Sequence, residues 1–308
     1  MVIFAVMVIA ALIPPSGNRP IFRYDVGKPL AIKLNRVSTA GTARIEDVTY
    51  VSASRGRVPA YLIYPIKQPI VAAIEYGHWS LGDRNEFLSE AIAMTRYGIA
   101  SLLPDAPFVR PAPWTSAQLG NFTDPLSDRN VYVQTVVDFR RGFDVIAKNF
   151  PSARDRIAFV GHSYDAGIGG NLAGADHCYR AFVLMAGSGT VLETSPSMVM
   201  GSFSEEQGLK ALRALPKGAL ARYLAIMRPL DPDRWIVSAT APILMQFARN
   251  DMFVSRRQAD QYAHAVRGPI RERWYIGGHE FYDPLARKDR ERWLLAKLRI
   301  PPVATPPP

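Results

Sequence analysis

Short apolar runs alternate with amphipathic segments along most of the chain, and this alternation restricts the fold more than any other feature. "PIVAAIEYG" (69–77), "IASLLPD" (99–105), "RIAFVGHS" (156–163), "RAFVLMAG" (180–187) and "APILMQFARND" (241–251) have strand length and almost no polar interruption. Such runs suit strands buried on both faces. "RIEDVTYVSA" (44–53) and "VPAYLIYP" (58–65) read as a strand pair around the turn "SRGR", and "PIRERWYIGG" (269–278) reads as a last strand. Helical patterns fall between them at 128–150, 164–175 and 255–268, and one closes the series at 283–298. In "DRNEFLSEAIAMTRYG" (83–98), Asp83 is a candidate cap with Glu86 three residues later, and Gly98 is a stop. Phe87, Leu88, Ala91 and Ile92 share one face of that segment. Strand–helix alternation of this kind predicts an α/β chain with a mostly parallel central sheet and helices on both faces.

The rhythm breaks at 188–238. Helix-like pieces there ("EEQGLKALRAL", "GALARYLAIM") accompany Met198, Met200, Phe203 and Trp235. Two readings stand: a small lid-like insertion, or a long crossover. Residues 1–40 form an apolar segment and lead-in, 41–300 the main domain, and 301–308 a proline-rich tail that cannot continue a helix. The stretch "MVIFAVMVIAALIPP" is shorter than the roughly 20 residues of a spanning helix. It reads either as the hydrophobic part of an export signal, without the usual preceding Lys or Arg, or as a buried N-terminal strand. The export reading is preferred, which would place the protein in the periplasm or outside the cell; the compartment otherwise reads as cytoplasmic, and membrane association is expected only through this segment. Oligomeric state is not legible.

Composition excludes some classes. Of 308 residues, 48% are hydrophobic and 21% charged, which is enough for a sizeable core. The formal net charge is +10, but its Lys and Arg are scattered, so no nucleic-acid partner is expected. One cysteine, Cys178, permits no internal disulfide. The histidines have no spacing that supplies three metal ligands, and "GIGG" lacks the Lys of a phosphate loop, so neither metal nor cofactor is expected.

The sharpest local signal is "GHSYD" (161–165). An apolar run stops at Gly161, and a hydroxyl follows at the strand–helix corner. In open parallel sheets, sites collect at the carboxyl ends of strands. A tight turn there lifts Ser163 clear of the sheet and sets the Tyr164 N–H beside it, at a helix N-terminus that favours negative charge. Serine needs a base and an orienting acid. Asp251 and His279 each follow a strand at the same rim, in the order serine, aspartate, histidine. Asp283 suits the cap of the last helix, and Asp233 precedes its strand, so Asp251 is the candidate acid. Alternation along the strand points His162 away from the site, as a packing residue. Trp79 and Trp114 are candidates for lining a substrate pocket.

With these residues in place, the chain resembles the alpha/beta-hydrolase superfamily over roughly 44–298, most closely its dienelactone-hydrolase and esterase-like branch. The blocks carrying the resemblance are "YGHWSLGDRNEFLSEAIAMTRYGIASLLPDAP", "ARNDMFVSRRQADQYAHAV" and "GGHEFYDPLARKDRERWL". The resemblance implies an alpha/beta-hydrolase fold, with Ser163 as nucleophile, His279 as base and Asp251 as acid. It implies backbone N–H donors to an oxyanion from His78 and Tyr164; the family's H-G-x-x stretch reads Tyr76-Gly77-His78-Trp79 here. It implies hydrolysis of a small-molecule carboxylic ester or small amide through an acyl-enzyme, with no cofactor. Related peptidases carry an N-terminal propeller, for which the residues before the first strand are too few. Asp165 departs from the pattern, which has a small residue at that position. A carboxylate there raises the alternative of a non-catalytic binding protein on a hydrolase scaffold.

Overall fold

The computed structural model describes residues 20–116, 120–191, 210 and 213–301. Its centre is a nine-stranded sheet of order β1-β2-β3-β5-β4-β6-β7-β8-β9. The strands are β1 Lys33–Ala40, β2 Ala43–Val51, β3 Arg57–Pro65, β4 Ala72–Gly77, β5 Ile99–Pro104, β6 Ile157–His162, β7 Ala181–Met185, β8 Ile243–Ala248 and β9 Ile270–Tyr275. The first three and the β3–β5 pair run antiparallel; every pair from β5 through β9 is parallel. The predicted strands are all present. β1 is additional, so the sheet already begins within the lead-in assigned to 1–40. All but the last of its residues are exposed, so no apolar alternation announces it.

Parallel strands need crossovers, and the helices supply them on both faces. Helices α1 Leu88–Met94 and α7 Pro284–Lys297 cover one face; α2 Pro125–Asn149, α3 Tyr164–Ala175 and α6 Arg256–Ala265 cover the other. β6 shows why the central runs are apolar throughout. Ile157 and Phe159 pack toward α2 and α3, while Ala158 and Val160 pack toward α1 and α7, and all are fully buried. α2 begins earlier than its periodicity suggests: Asp124 caps it by accepting from the Ser127 N–H at 3.2 Å, and Pro125 takes the first helical position.

Of the 188–238 interval, the pieces around 205–209 and Met198, Met200 and Phe203 lie outside the described residues, as do residues 1–19 and the tail beyond 301. The described part contains α4 Ala219–Met227 and α5 Asp233–Ile236. It is anchored in the helix layer. Tyr223 donates to Asp128 of α2 at 2.7 Å, and its ring lies 4.6 Å from that of Phe122. Tyr223, Met227, Leu230, Trp235 and Ile236 all belong to the main core. Among the described residues no helix is long and apolar enough to cross a membrane.

Candidate active site

The elbow forms because two strand ends fix it. The Ser163 N–H donates to the Met185 carbonyl at 2.8 Å, extending the β6–β7 pairing by one bond. Ser163 then takes φ 53°, ψ −108° and starts α3 without capping it through its own side chain. That conformation is costly for a side-chain-bearing residue and is held by the surrounding structure. Gly161 is required: a Cβ there would lie 2.2 Å from the Asp165 carbonyl oxygen of the returning helix.

Ser163, His279 and Asp251 converge. Ser163 Oγ lies 2.7 Å from His279 Nε2, and His279 Nδ1 lies 2.9 Å from both carboxylate oxygens of Asp251. Each comes from a loop at the carboxyl end of its strand: β6, β9 and β8. Asp251 is aimed by its own turn, since Oδ1 also accepts from the Phe253 and Val254 N–H groups at 2.8 Å. The His279 and Asp251 side chains are 3% and 2% exposed, so their contact is shielded from water. Because the carboxylate only accepts, Nδ1 carries the proton and Nε2 offers its lone pair to the serine hydroxyl.

The sequence-predicted oxyanion loop follows β4. The His78 imidazole is fully engaged: Nε2 accepts from the Ala106 N–H at 3.0 Å, which leaves Nδ1 to donate to the Trp79 carbonyl at 2.7 Å. Burial lowers its pKa, so the ring is neutral. Neither Asp165 carboxyl oxygen has a hydrogen-bond partner among the described residues. Asp165 is wholly buried. Burial holds its proton well above the usual carboxylate range, and the charge of Glu86 acts in the same direction; the His78 amide and Arg110 oppose them. The bulk unexpected at this elbow position is accommodated by Gly77, where a Cβ would lie 2.6 Å from Asp165 Cβ.

The structure revises other expectations. Asp83 does not cap α1; it accepts from the Asn85 N–H at 2.8 Å inside the preceding turn, and Phe87 occupies the cap position. Glu86 is no capping-box partner either. Its Oε2 accepts from the Trp79 N–H at 2.8 Å and its Oε1 lies 2.6 Å from His162 Nδ1. His162 does point to the α1 face, as alternation requires, but it is more than packing: Nε2 lies 2.7 Å from the His279 carbonyl oxygen. Trp79 stacks on His162 with centroids 5.8 Å apart and lies 6.0 Å from His279. Trp114, in the loop between β5 and α2, packs against Gly56 of the β2–β3 turn, its Cδ1 2.7 Å from where a Gly56 Cβ would stand. Phe253 also meets His279, edge-on at 4.9 Å. Phe253 was missed; its place two residues after the acid was the available signal. Asp283 caps α7 as expected, accepting from Leu285 N–H at 2.8 Å. Among the described residues, no group of three His, Cys, Asp or Glu side chains is placed to hold a metal ion.

The chain matches no family model and no curated protein. Solved structures resemble it at the level of fold. An acetyl xylan esterase from Paenibacillus sp. R4 is 21% identical, with a TM-score of 0.72 over 88% of this chain and 90% of that one. Acetyl xylan esterase 1 from Thermoanaerobacterium sp. JW/SL YS485 is 15% identical, with a TM-score of 0.69 over 87% and 88%. The acylaminoacyl peptidase of Pyrococcus horikoshii is 17% identical, with a TM-score of 0.65 over 86% of this chain but 43% of the peptidase. The chain therefore has the alpha/beta-hydrolase fold, with esterases and a peptidase among its structural neighbours.

Proposed function

We propose that the protein is a serine hydrolase that cleaves a carboxylic ester, or a small amide, through an acyl-enzyme. The observation that carries this reading is the unbroken chain Ser163 Oγ, His279 Nε2, His279 Nδ1, Asp251, with contacts of 2.7 and 2.9 Å. In the first step His279 Nε2 takes the hydroxyl proton as Ser163 Oγ bonds to the acyl carbon. The carbonyl oxygen becomes an oxyanion, and the N–H of Tyr164, in the first turn of α3, is the donor proposed to meet it. The His78 N–H is the second donor. Collapse breaks the bond to the alcohol oxygen, which leaves with the proton from His279. Water then enters, gives its proton to His279, and the acid departs as Ser163 regains its own. Asp251 stabilises the imidazolium in both halves and does not itself take the proton.

The acetyl esters named for two of the structural neighbours make short acyl esters the first substrates to assay. Ser163→Ala should lower p-nitrophenyl acetate turnover by on the order of a million-fold; a variant with the native rate would refute the reading. One observation favours the alternative of a non-catalytic binding protein: a fully buried carboxyl, Asp165, without a hydrogen-bond partner among the described residues, stands at the elbow position where the family pattern has a small residue. A fluorophosphonate probe separates the two, because an inactive elbow stays unlabelled at high probe concentration.

A further inference from the structure

Glu86 and His162 join three loops that the chemistry needs in register. Glu86 Oε2 accepts the N–H of Trp79, the residue after His78; Glu86 Oε1 meets His162 Nδ1; His162 Nε2 meets the carbonyl of His279. His162 itself precedes the nucleophile. The link therefore runs from the oxyanion loop through the elbow to the backbone of the general base. It is enclosed, since the His162 side chain is 2% exposed and that of Glu86 19%. The indole of Trp79 lies nearly parallel over the imidazole, at 11°, and closes it from that side.

Proton counting makes the link directional. The His279 carbonyl can only accept, so Nε2 of His162 is a donor. The 2.6 Å contact at Nδ1 then needs one further proton, shared between the imidazole and the carboxyl of Glu86. Without it, a lone pair and a carboxylate oxygen would face each other in a nearly dry position.

We infer that Glu86 and His162 are positioning residues for the hydrolytic reaction, together fixing the His279 loop and the oxyanion loop relative to Ser163. This rests on the serine-hydrolase reading. Neither residue touches the reacting atoms; each sets where those atoms stand. A displacement of about 1 Å at such a site is enough to cost on the order of 100-fold in rate.

The test compares p-nitrophenyl acetate kinetics and melting temperature for the native protein and the variants Glu86→Leu, Glu86→Gln, His162→Asn and Ser163→Ala. Glu86→Leu removes both acceptors, and kcat should fall on the order of 100-fold with KM changed by no more than about threefold. Glu86→Gln should restore most of that loss. Its carbonyl oxygen accepts from Trp79 N–H, and its amide donates to Nδ1, leaving Nε2–H on the His279 carbonyl. His162→Asn keeps a group facing Glu86 but cannot reach the His279 carbonyl, and kcat should fall again. If Glu86→Leu does not fold, His162→Asn with Glu86→Gln as control carries the test alone. Native kcat in either Glu86→Leu or His162→Asn overturns the inference, as does a Glu86→Gln variant as impaired as Glu86→Leu. Turnover surviving in Ser163→Ala would instead sink the hydrolase reading.

Discussion

Asp165 illustrates how a residue that breaks a local rule is absorbed by a second residue far away in sequence. Its side chain fits because Gly77, at the end of β4, leaves the space that a Cβ would fill. The two positions are thus coupled. In a double-mutant cycle, Gly77→Ala should cost about 1–3 kcal/mol more with Asp165 present than in an Asp165→Gly background. Chemical denaturation measures this, and additive effects would mean that the contact is relieved elsewhere. Ser163, Asp251 and His279 could be picked out as one group in the sequence because each follows a strand-length run at the same rim, in the order serine, aspartate, histidine, with glycines before Ser163 and before His279. Glu86 and His162 were not. Their partnership spans 76 positions, and Glu86 stood where a helix-capping role offered a local explanation. Nothing in either residue's neighbourhood says that a carboxyl and an imidazole meet.

Between elements, the clearest single tie lies on the α1/α7 face. Glu90 of α1 and Arg290 of α7 are both buried, and Arg290 Nε lies 2.9 and 3.0 Å from the two Glu90 oxygens. Two charges removed from water attract strongly, but their desolvation offsets much of that gain. Removing one partner is different, because the other charge is left buried alone. Glu90→Ala should therefore destabilise the fold by about 3–5 kcal/mol, whereas replacing both residues by apolar ones of similar volume should cost far less. Urea midpoints of the single and double variants decide this; equal losses would show that packing volume, not the stranded guanidinium, governs the cost. α1 also precedes the rim differently from expectation. Its segment carries the apolar face that periodicity predicted, but its first turn is spent on shaping the loop that holds Glu86.

At the scale of the whole molecule, several buried carboxyl groups give stability a definite pH dependence. Burial raises Asp105 and Asp231 from 3.8 to about 6, and raises Glu75 and Asp165 well above the ordinary range. The folded state then holds protons that the unfolded chain has already released. Each such group stabilises the fold fully at low pH and loses that contribution as pH rises from its unfolded value through its folded one, at about 1.4 kcal/mol per unit. The folded protein should accordingly lose stability from about pH 4 upward through about pH 6 on account of Asp105 and Asp231. Asp165→Asn, which keeps the shape without the ionisation, should show a shallower decline; a slope as steep as the native one would count against this origin. The architecture itself was readable because parallel strands buried on both faces must be apolar throughout. β1 was not, since a strand with solvent on both sides has no such requirement.

That outer ribbon has a consequence for how the protein behaves when crowded. Among the described residues, β1 is the edge strand and pairs on one side only, the arrangement that lets sheets of separate molecules join. Here the margin is spoiled: the pairing slips between Leu34 and Arg36, and Lys33 and Arg36 bring like charge to the same border. A second copy approaching to continue the sheet meets a kinked, cationic hem, so the exposed Leu34 and Val37 can stay wet without seeding polymers.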